Sequence, residues 1–252
     1  MLGCNPLEHR ERTFFPMKYK IELHAHTREV SPCGQLSAHE VADRYIADGY
    51  STLVITNHYC DYVMKNAGES WEERGAYYLA PYYDMKEYAG DRLNVILGCE
   101  LRFVGSANDY LIFGLDDRFL LEHPNLHEMN IRTFSELAHE NGLLIVQAHP
   151  FRNGMTVVNP GYLDGIEIFN GHRGHDSRNP IAEAWANKFD LIPTSGTDFH
   201  HPDQYGCAGI ISDTPITTGE ELKELLKSRN YTLYCAGPRA EVEGMSDRPA
   251  KI

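Results

Sequence analysis

The sequence predicts an α/β fold in one domain, its parallel strands closed or nearly closed into a barrel. Three observations carry this expectation. Short continuous apolar runs recur along the chain and alternate with helically spaced segments, the pattern of strands buried on both faces and joined by helices. Roughly seven such units occur, which favours a barrel over an open sheet. The 252 residues, 42% of them hydrophobic, suffice for one large core.

The first run, Ile21-Glu22-Leu23-His24-Ala25-His26-Thr27, ends in two histidines one residue apart. In a strand, residues i and i+2 share a face, so both imidazoles point to one side where the strand stops. Ser31-Pro32-Cys33-Gly34 reads as a turn, and Ser37-Ala38-His39-Glu40 as a capping box opening a helix that Gly49 ends. Ser51–Thr56 is a second strand, followed by Asn57-His58. The stretch from Glu69 to Ala89 is expected to be helical but broken at Gly75 and Pro81.

Leu93–Cys99 is the next strand, with Glu100 at its end. Tyr110–Gly114 follows, with Asp109 before it and Asp116 beyond. A helix with Ile131, Phe134, Leu137 and Ala138 on one face stops at Asn141-Gly142, and Leu143–Ala148 then runs into His149-Pro150. The pattern repeats with Gly165–Phe169 into Asn170-Gly171-His172-Arg173, a helix around Ile181–Phe189, and Leu191–Thr194 into Ser195-Gly196-Thr197-Asp198-Phe199-His200. A last helix, Gly219–Ser228, leads to the strand Tyr231–Tyr234.

Composition removes several function classes. The formal charge of -13, from 36 acidic and 23 basic residues, speaks against a surface for a nucleic-acid polymer, which needs clustered Lys and Arg. The six cysteines lack any Cys-x-x-Cys pair, as expected for reduced thiols rather than a disulfide framework or zinc ribbon. Met1 to Pro16 is polar, with no apolar run of a signal peptide or membrane span, so the expected location is cytoplasmic. Residues 1–16 read as an extension and 17–252 as the barrel, with Met17 a possible start.

In a parallel barrel the carboxyl ends of all strands meet on one face. His24, His26, His58, Glu100, His149, Asp198 and His200 would then converge. Five imidazoles and two carboxylates buried together are costly without added positive charge, and divalent cations supply it. Imidazole with carboxylate suits Zn, Mn or Fe, and seven donors exceed what one catalytic ion needs, so two or three ions are expected. Two adjacent ions can activate a shared water and neutralise a phosphoryl group.

These residues resemble the PHP (polymerase and histidinol phosphatase) superfamily of metal-dependent phosphoesterases. The motifs are His24-Ala25-His26, Ile55-Thr56-Asn57-His58, Gly98-Cys99-Glu100, Ala148-His149-Pro150 and Ser195–His200, in family order between about residues 19 and 235. The resemblance implies a distorted (β/α)7 barrel. It implies that His24, His26, Glu100 and Asp198 hold one ion, that Glu100 bridges to a second held by His149, and that His58 and His200 serve a third. Many three-ion members carry a further His or Asp where this chain has Ser31-Pro32-Cys33-Gly34, and another His where it has Leu115-Asp116; Cys33 and Asp116 are the candidate replacements. Asn57 stands where the family usually has Asp, which implies loss of a carboxylate that would orient its neighbour.

The expected substrate is a small phosphorylated molecule. Arg173 and Arg178, in the Asn170–Arg178 loop, are candidates to grip its phosphate, with Arg102 and Arg152 behind them. His200 or His172 would protonate the leaving oxygen. His9, His39, His123, His127, His139 and His201 read as surface residues, and the tyrosines between Tyr77 and Tyr88 as helix packing. Two rival readings stay open: C–N bond hydrolysis of the amidohydrolase type on the same barrel, and a metal-stabilised module that binds a phosphate ligand without turnover.

Overall fold

The computed structural model describes residues 18–204 and 206–236; the 1–16 extension and Met17 lie outside them. Each apolar run forms a strand: β1 (Tyr19–Ala25), β2 (Thr52–Ile55), β3 (His58–Tyr59), β4 (Asn94–Leu97), β5 (Cys99–Arg102), β6 (Asp109–Phe113), β7 (Leu144–Gln147), β8 (Gly165–Asn170), β9 (Ile192–Gly196), β10 (Ala208–Ser212) and β11 (Thr232–Cys235). The helices are α1 (Ala38–Ala47), α2 (Asp61–Asn66), α3 (Trp71–Ala89), α4 (Asp117–Glu122), α5 (Ile131–Glu140), α6 (Asn179–Phe189) and α7 (Gly219–Ser228).

The fold is mixed α/β, and its strands lie in two sheets rather than in one resolved barrel. Their orders are β11-β10-β1-β2-β4 and β3-β5-β6-β7-β8-β9. The sheets adjoin at two places. Beyond β9, Phe199 bridges Ala25 of β1, with the His26 N–H donating to Phe199 O at 3.2 Å. On the other side, Gly98 N–H donates to Ile55 O and Glu100 N–H to Asn57 O, both at 3.0 Å, so the β2/β4 pair passes into the β3/β5 pair.

The expectation of uniformly parallel strands fails at two elements. β6 runs antiparallel to both β5 and β7, and β10 antiparallel to β1 and β11. An apolar run reports burial on both faces but carries no direction. Both faces are buried here. Leu53, Val95, Ile112 and Ile145 pack into the larger apolar cluster, while Ile21, Leu23, Val54, Ile96, Leu111 and Val146 pack into a second one with Leu222 and Leu226 of α7.

α1 starts with the expected reciprocal cap between Ser37 and Glu40. α3 is unbroken, contrary to expectation. Gly75 is a packing position, since a Cβ there would meet Leu121 Cδ2 at 2.6 Å. Pro81 is buried beside Tyr78, Leu79 and Met85, and that packing outweighs the hydrogen bond the ring cannot donate. Among the described residues no helix is long and apolar enough to cross a membrane.

Candidate metal centre

The alternation of β1 sends Ile21 and Leu23 into the core and aims Glu22 and His24 the other way, with His26 following past the strand end. His24 and His26 are fully buried. His24 Nε2 lies 3.3 Å from Glu100 Oε1 and 3.4 Å from Asp198 Oδ1. His26 Nε2 lies 3.4 Å from Glu100 Oε2 and 3.5 Å from Asp198 Oδ1. Neither nitrogen has a hydrogen-bond partner among the described residues. From the other strand ends, His58 brings Nδ1 to 2.7 Å from Glu100 Oε2, and His149 brings Nε2 to 3.1 Å from Glu100 Oε1.

The ring tautomers follow from the partners of the opposite nitrogens. His24 Nδ1 faces Glu167 Oε1 at 3.0 Å and donates to that carboxylate. The Asn57 amide accepts Thr27 N–H and the Ser31 hydroxyl on Oδ1, and donates to Thr27 Oγ1 through Nδ2. Ser31 Oγ has thus spent its proton, so at 3.1 Å it accepts from His26 Nδ1. His200 Nδ1 donates to the Asp198 carbonyl at 2.8 Å. In the neutral form of all three rings the lone pair is therefore on Nε2, the tautomer a metal ligand needs. Asn57 orients His26 through Ser31.

Buried bare nitrogens gathered around two carboxylates are what cation ligands look like, and these residues fit divalent metal. Among the described residues, four groups place one donor atom per residue within 4.8 Å of one another: His24/His26/Glu100, His24/His149/Asp198, His26/His58/His200 and His58/Glu100/Asp109. The electrostatics agree. Burial favours neutral forms, yet His58 and His24 hold Glu100 well below the usual carboxylate range, and His24 and His200 do the same for Asp198. Against the same burial, Asp198 raises His24 and His200, and Glu100 raises His58. Burial and the neighbouring His200 and His58 lower His26.

Two of the centre's backbones are strained, with φ at 26° for His149 and 52° for Asp198. Asp tolerates that region; His149 is held there by its N–H donating to Glu167 Oε2 at 2.8 Å.

Sequence spacing missed several residues that build this centre. Glu167 ties His24 and His149 together and accepts from Asn170 Nδ2 at 2.9 Å; the same amide reaches Asp198 Oδ2 at 3.2 Å. Glu22 accepts five hydrogen bonds, from the N–H groups of Leu23, His24 and Thr197 and the hydroxyls of Tyr45 and Thr197, and burial still pushes it up to about 7. Each is a lone carboxylate inside an apolar strand, a signal visible in the sequence. His127, expected at the surface, is buried against Tyr59 instead, its carbonyl accepting Val104 N–H.

The remaining candidates divide. Cys33 Sγ sits 3.1 Å from His200 Nε2; burial pushes the thiol up, but His200 and His58 outweigh it and leave Cys33 at about 6. Asp116 is in none of the four donor groups: it caps α4 by accepting Phe119 N–H, because antiparallel β6 starts rather than ends at the centre. Asp109, at that start, instead holds Arg102 through two 2.6 Å contacts and Arg152 at 3.3 Å. Arg178 is spent on Phe151 O and the Asn153 side chain. Arg173 is exposed at the edge of a cavity of about 420 Å³ that it lines with Gln35, Gly174, His201, Asp203 and Gln204. His172 has its ring 5.2 Å from that of His200, and burial holds it down at about 4.

The family model for the PHP domain matches residues 22–233, which include every residue of the centre. The chain belongs to the PHP domain family. Among solved structures, this PHP domain is similar to a two-domain protein from Bacteroides vulgatus ATCC 8482 containing a predicted PHP-like metal-dependent phosphoesterase, at 17% identity and a TM-score of 0.65. That match covers 87% of this chain and 65% of the other, so the chain spans about two thirds of that protein's length. It is also similar to PsfC from Pseudomonas syringae PB-5123, at 17% identity and a TM-score of 0.62, over 81% of this chain and 87% of that one. No curated protein matches by sequence. At these identities the structural likeness speaks for the fold of the PHP domain.

Proposed function

We propose that this PHP domain is a metal-dependent phosphoesterase that hydrolyses a small phosphomonoester or nucleotide phosphate. The supporting observation is the pair of bare, fully buried Nε2 atoms of His24 and His26, each within 3.5 Å of Glu100 and Asp198. In this reading His24, His26, Glu100 and Asp198 hold one divalent ion, Glu100 and His149 a second, and His58 and His200 a third position that Cys33 completes. Bound ions of the zinc, manganese or iron type would lower the pKa of a water and neutralise the phosphoryl oxygens.

The chain's own residues do the rest. Glu167, Asn170 and Ser31 fix the donor rings so that no reorganisation is needed when substrate arrives. Arg173 binds the phosphate from the cavity rim, and the cavity, within the size range of small-molecule sites, takes the rest of the substrate. His172, held neutral, is suited to accept a proton from water or substrate rather than to donate one to the leaving oxygen, and His200, with Nδ1–H bound to the Asp198 carbonyl and Nε2 committed to the third position in this reading, has no proton to give. The net charge of -13 disfavours a polynucleotide substrate.

Purified protein loaded with Mn or Zn should release phosphate from an aryl phosphate, and both His24→Ala and Asp198→Ala should abolish release. Equal turnover by wild type and both variants would reject this mechanism. Bound metal with no hydrolysis across a phosphoester panel would favour a binding role.

A further inference from the structure

We infer that His175, outside every motif described above, is a further metal ligand for the second ion, the one held by Glu100 and His149, on the side that Asp198 Oδ2 also faces. The inference rests on the metal centre proposed above and extends it to the loop of residues 171–178.

The ring is placed by a relay of hydrogen bonds whose direction is fixed at each step. Asn170 is buried and donates through Nδ2 to the carboxylates of Glu167 and Asp198, so its Oδ1 faces away and accepts. That oxygen takes the His172 N–H at 3.1 Å and the Ser177 hydroxyl at 3.2 Å. Ser177 Oγ has then used its proton, and at 3.0 Å from His175 Nδ1 it accepts from the ring. The neutral ring therefore carries its lone pair on Nε2.

That Nε2 is shielded from water, has no hydrogen-bond partner among the described residues and points at Asp198 Oδ2 from 3.5 Å. A lone pair facing a carboxylate oxygen in a buried site is unfavourable unless a cation lies between them. Two ligands bound at about 2.0–2.2 Å to one zinc ion stand roughly 3 to 3.5 Å apart, which is this spacing. The His175 ring also lies 5.7 Å from that of His149, whose Nε2 is 3.9 Å from the same Asp198 oxygen. His172 stacks on the outer face of His175, with centroids 4.4 Å apart and planes within 8°, and limits its rotation.

The consequence reaches beyond the ion. The loop that carries His175 also carries Arg173 at the cavity rim, so metal binding would tether the substrate-facing arginine to the centre.

The test uses metal-stripped full-length protein reloaded with zinc, comparing wild type, His175→Ala, His175→Gln and Ser177→Ala. Ion content per chain by mass spectrometry, affinity by chelator competition, and hydrogen exchange of residues 171–178 are the readouts. Loss of a ligand should weaken one ion by more than the roughly 10–100-fold that loss of an orienting partner costs, while Ser177→Ala should fall within that range. Zinc should protect residues 171–178 from exchange in wild type and not in either His175 variant. Full ion content and unchanged affinity in both His175 variants would overturn the inference and leave the metal centre standing, as would full loading with lost turnover, which would make His175 a proton-transfer residue. Failure of wild type itself to bind zinc would instead overturn the metal centre, and the inference with it.

Discussion

Glu167 and His24, 143 positions apart in sequence, meet at 3.0 Å in complete burial, and the second oxygen of the same carboxylate holds the backbone N–H of His149 at 2.8 Å. One side chain from β8 thus sets the tautomer of one donor and the strained backbone of another. Gly196 makes room for the contact, since a Cβ there would meet His24 Cβ at 2.5 Å and Glu167 Oε1 at 2.7 Å.

Glu167→Ala should therefore lower metal affinity by about 10–100-fold without removing a ligand. It also leaves the His149 N–H and the Asn170 amide short of an acceptor, at a cost of about 2–4 kcal/mol. Chelator competition and urea unfolding measure the two effects. Wild-type affinity in a folded Glu167→Ala protein would show that the contact does not orient His24.

Metal affinity should rise with pH. Asp198 and Glu100 hold His24, His58 and His200 above their ordinary values in the metal-free protein, and only neutral imidazole ligates. Each proton displaced makes the apparent affinity up to about tenfold stronger per pH unit while the imidazoles titrate. Calorimetry in buffers of different ionisation enthalpy counts the protons released; none released near pH 6 would contradict the assignment.

Much of this centre was legible because its main donors sit directly at strand ends, where an apolar run stops at His24, Glu100 or His149. The strands' direction was not legible. The run Tyr110–Phe113 looks the same forwards and backwards, so a parallel reading points to Asp116 where antiparallel pairing puts Asp109. Closure of the barrel rested on the same assumption of parallel strands. Glu22 and Glu167 could have been found, because a lone carboxylate in an apolar strand must have partners to be buried. Asn170, Ser177 and His175 could not, since their roles depend on how one loop folds back over β8 and β9.

Cys33 gives the third position a spectroscopic handle. A thiolate beside His58 and His200 favours thiophilic ions over manganese or magnesium. Cobalt-loaded protein should show a near-ultraviolet sulfur-to-cobalt charge-transfer band that Cys33→Ser abolishes while ligand-field absorption at the other positions persists. A band that survives the substitution would assign the sulfur elsewhere.

The two loop arginines should separate kinetically. Arg173→Ala removes a charged contact to substrate and should raise KM about 10–100-fold with a smaller change in kcat, as loss of about 1.5–3 kcal/mol of uniform binding does. Arg178→Ala breaks the link from α6 to Phe151 and Asn153 and should lower stability by about 1–2 kcal/mol, with KM little changed. Steady-state kinetics on both variants decides; a larger KM effect at Arg178 would reverse the assignment.

Asp109 belongs to one of the donor groups, with His58 and Glu100, yet both its oxygens are occupied by arginine. A fully buried carboxylate with two guanidinium partners has its charge balanced without an ion, and His149 Nε2 is 3.8 Å away, farther than from Glu100. Asp109 therefore braces β5 against β6, and in the proposed centre ion binding falls to Glu100. Asp109→Asn should cost about 2–3 kcal/mol, less than a fully buried pair because Arg102 is partly exposed, with the ion count per chain unchanged. Loss of one ion from a stably folded Asp109→Asn protein, by elemental analysis, would make Asp109 a ligand instead.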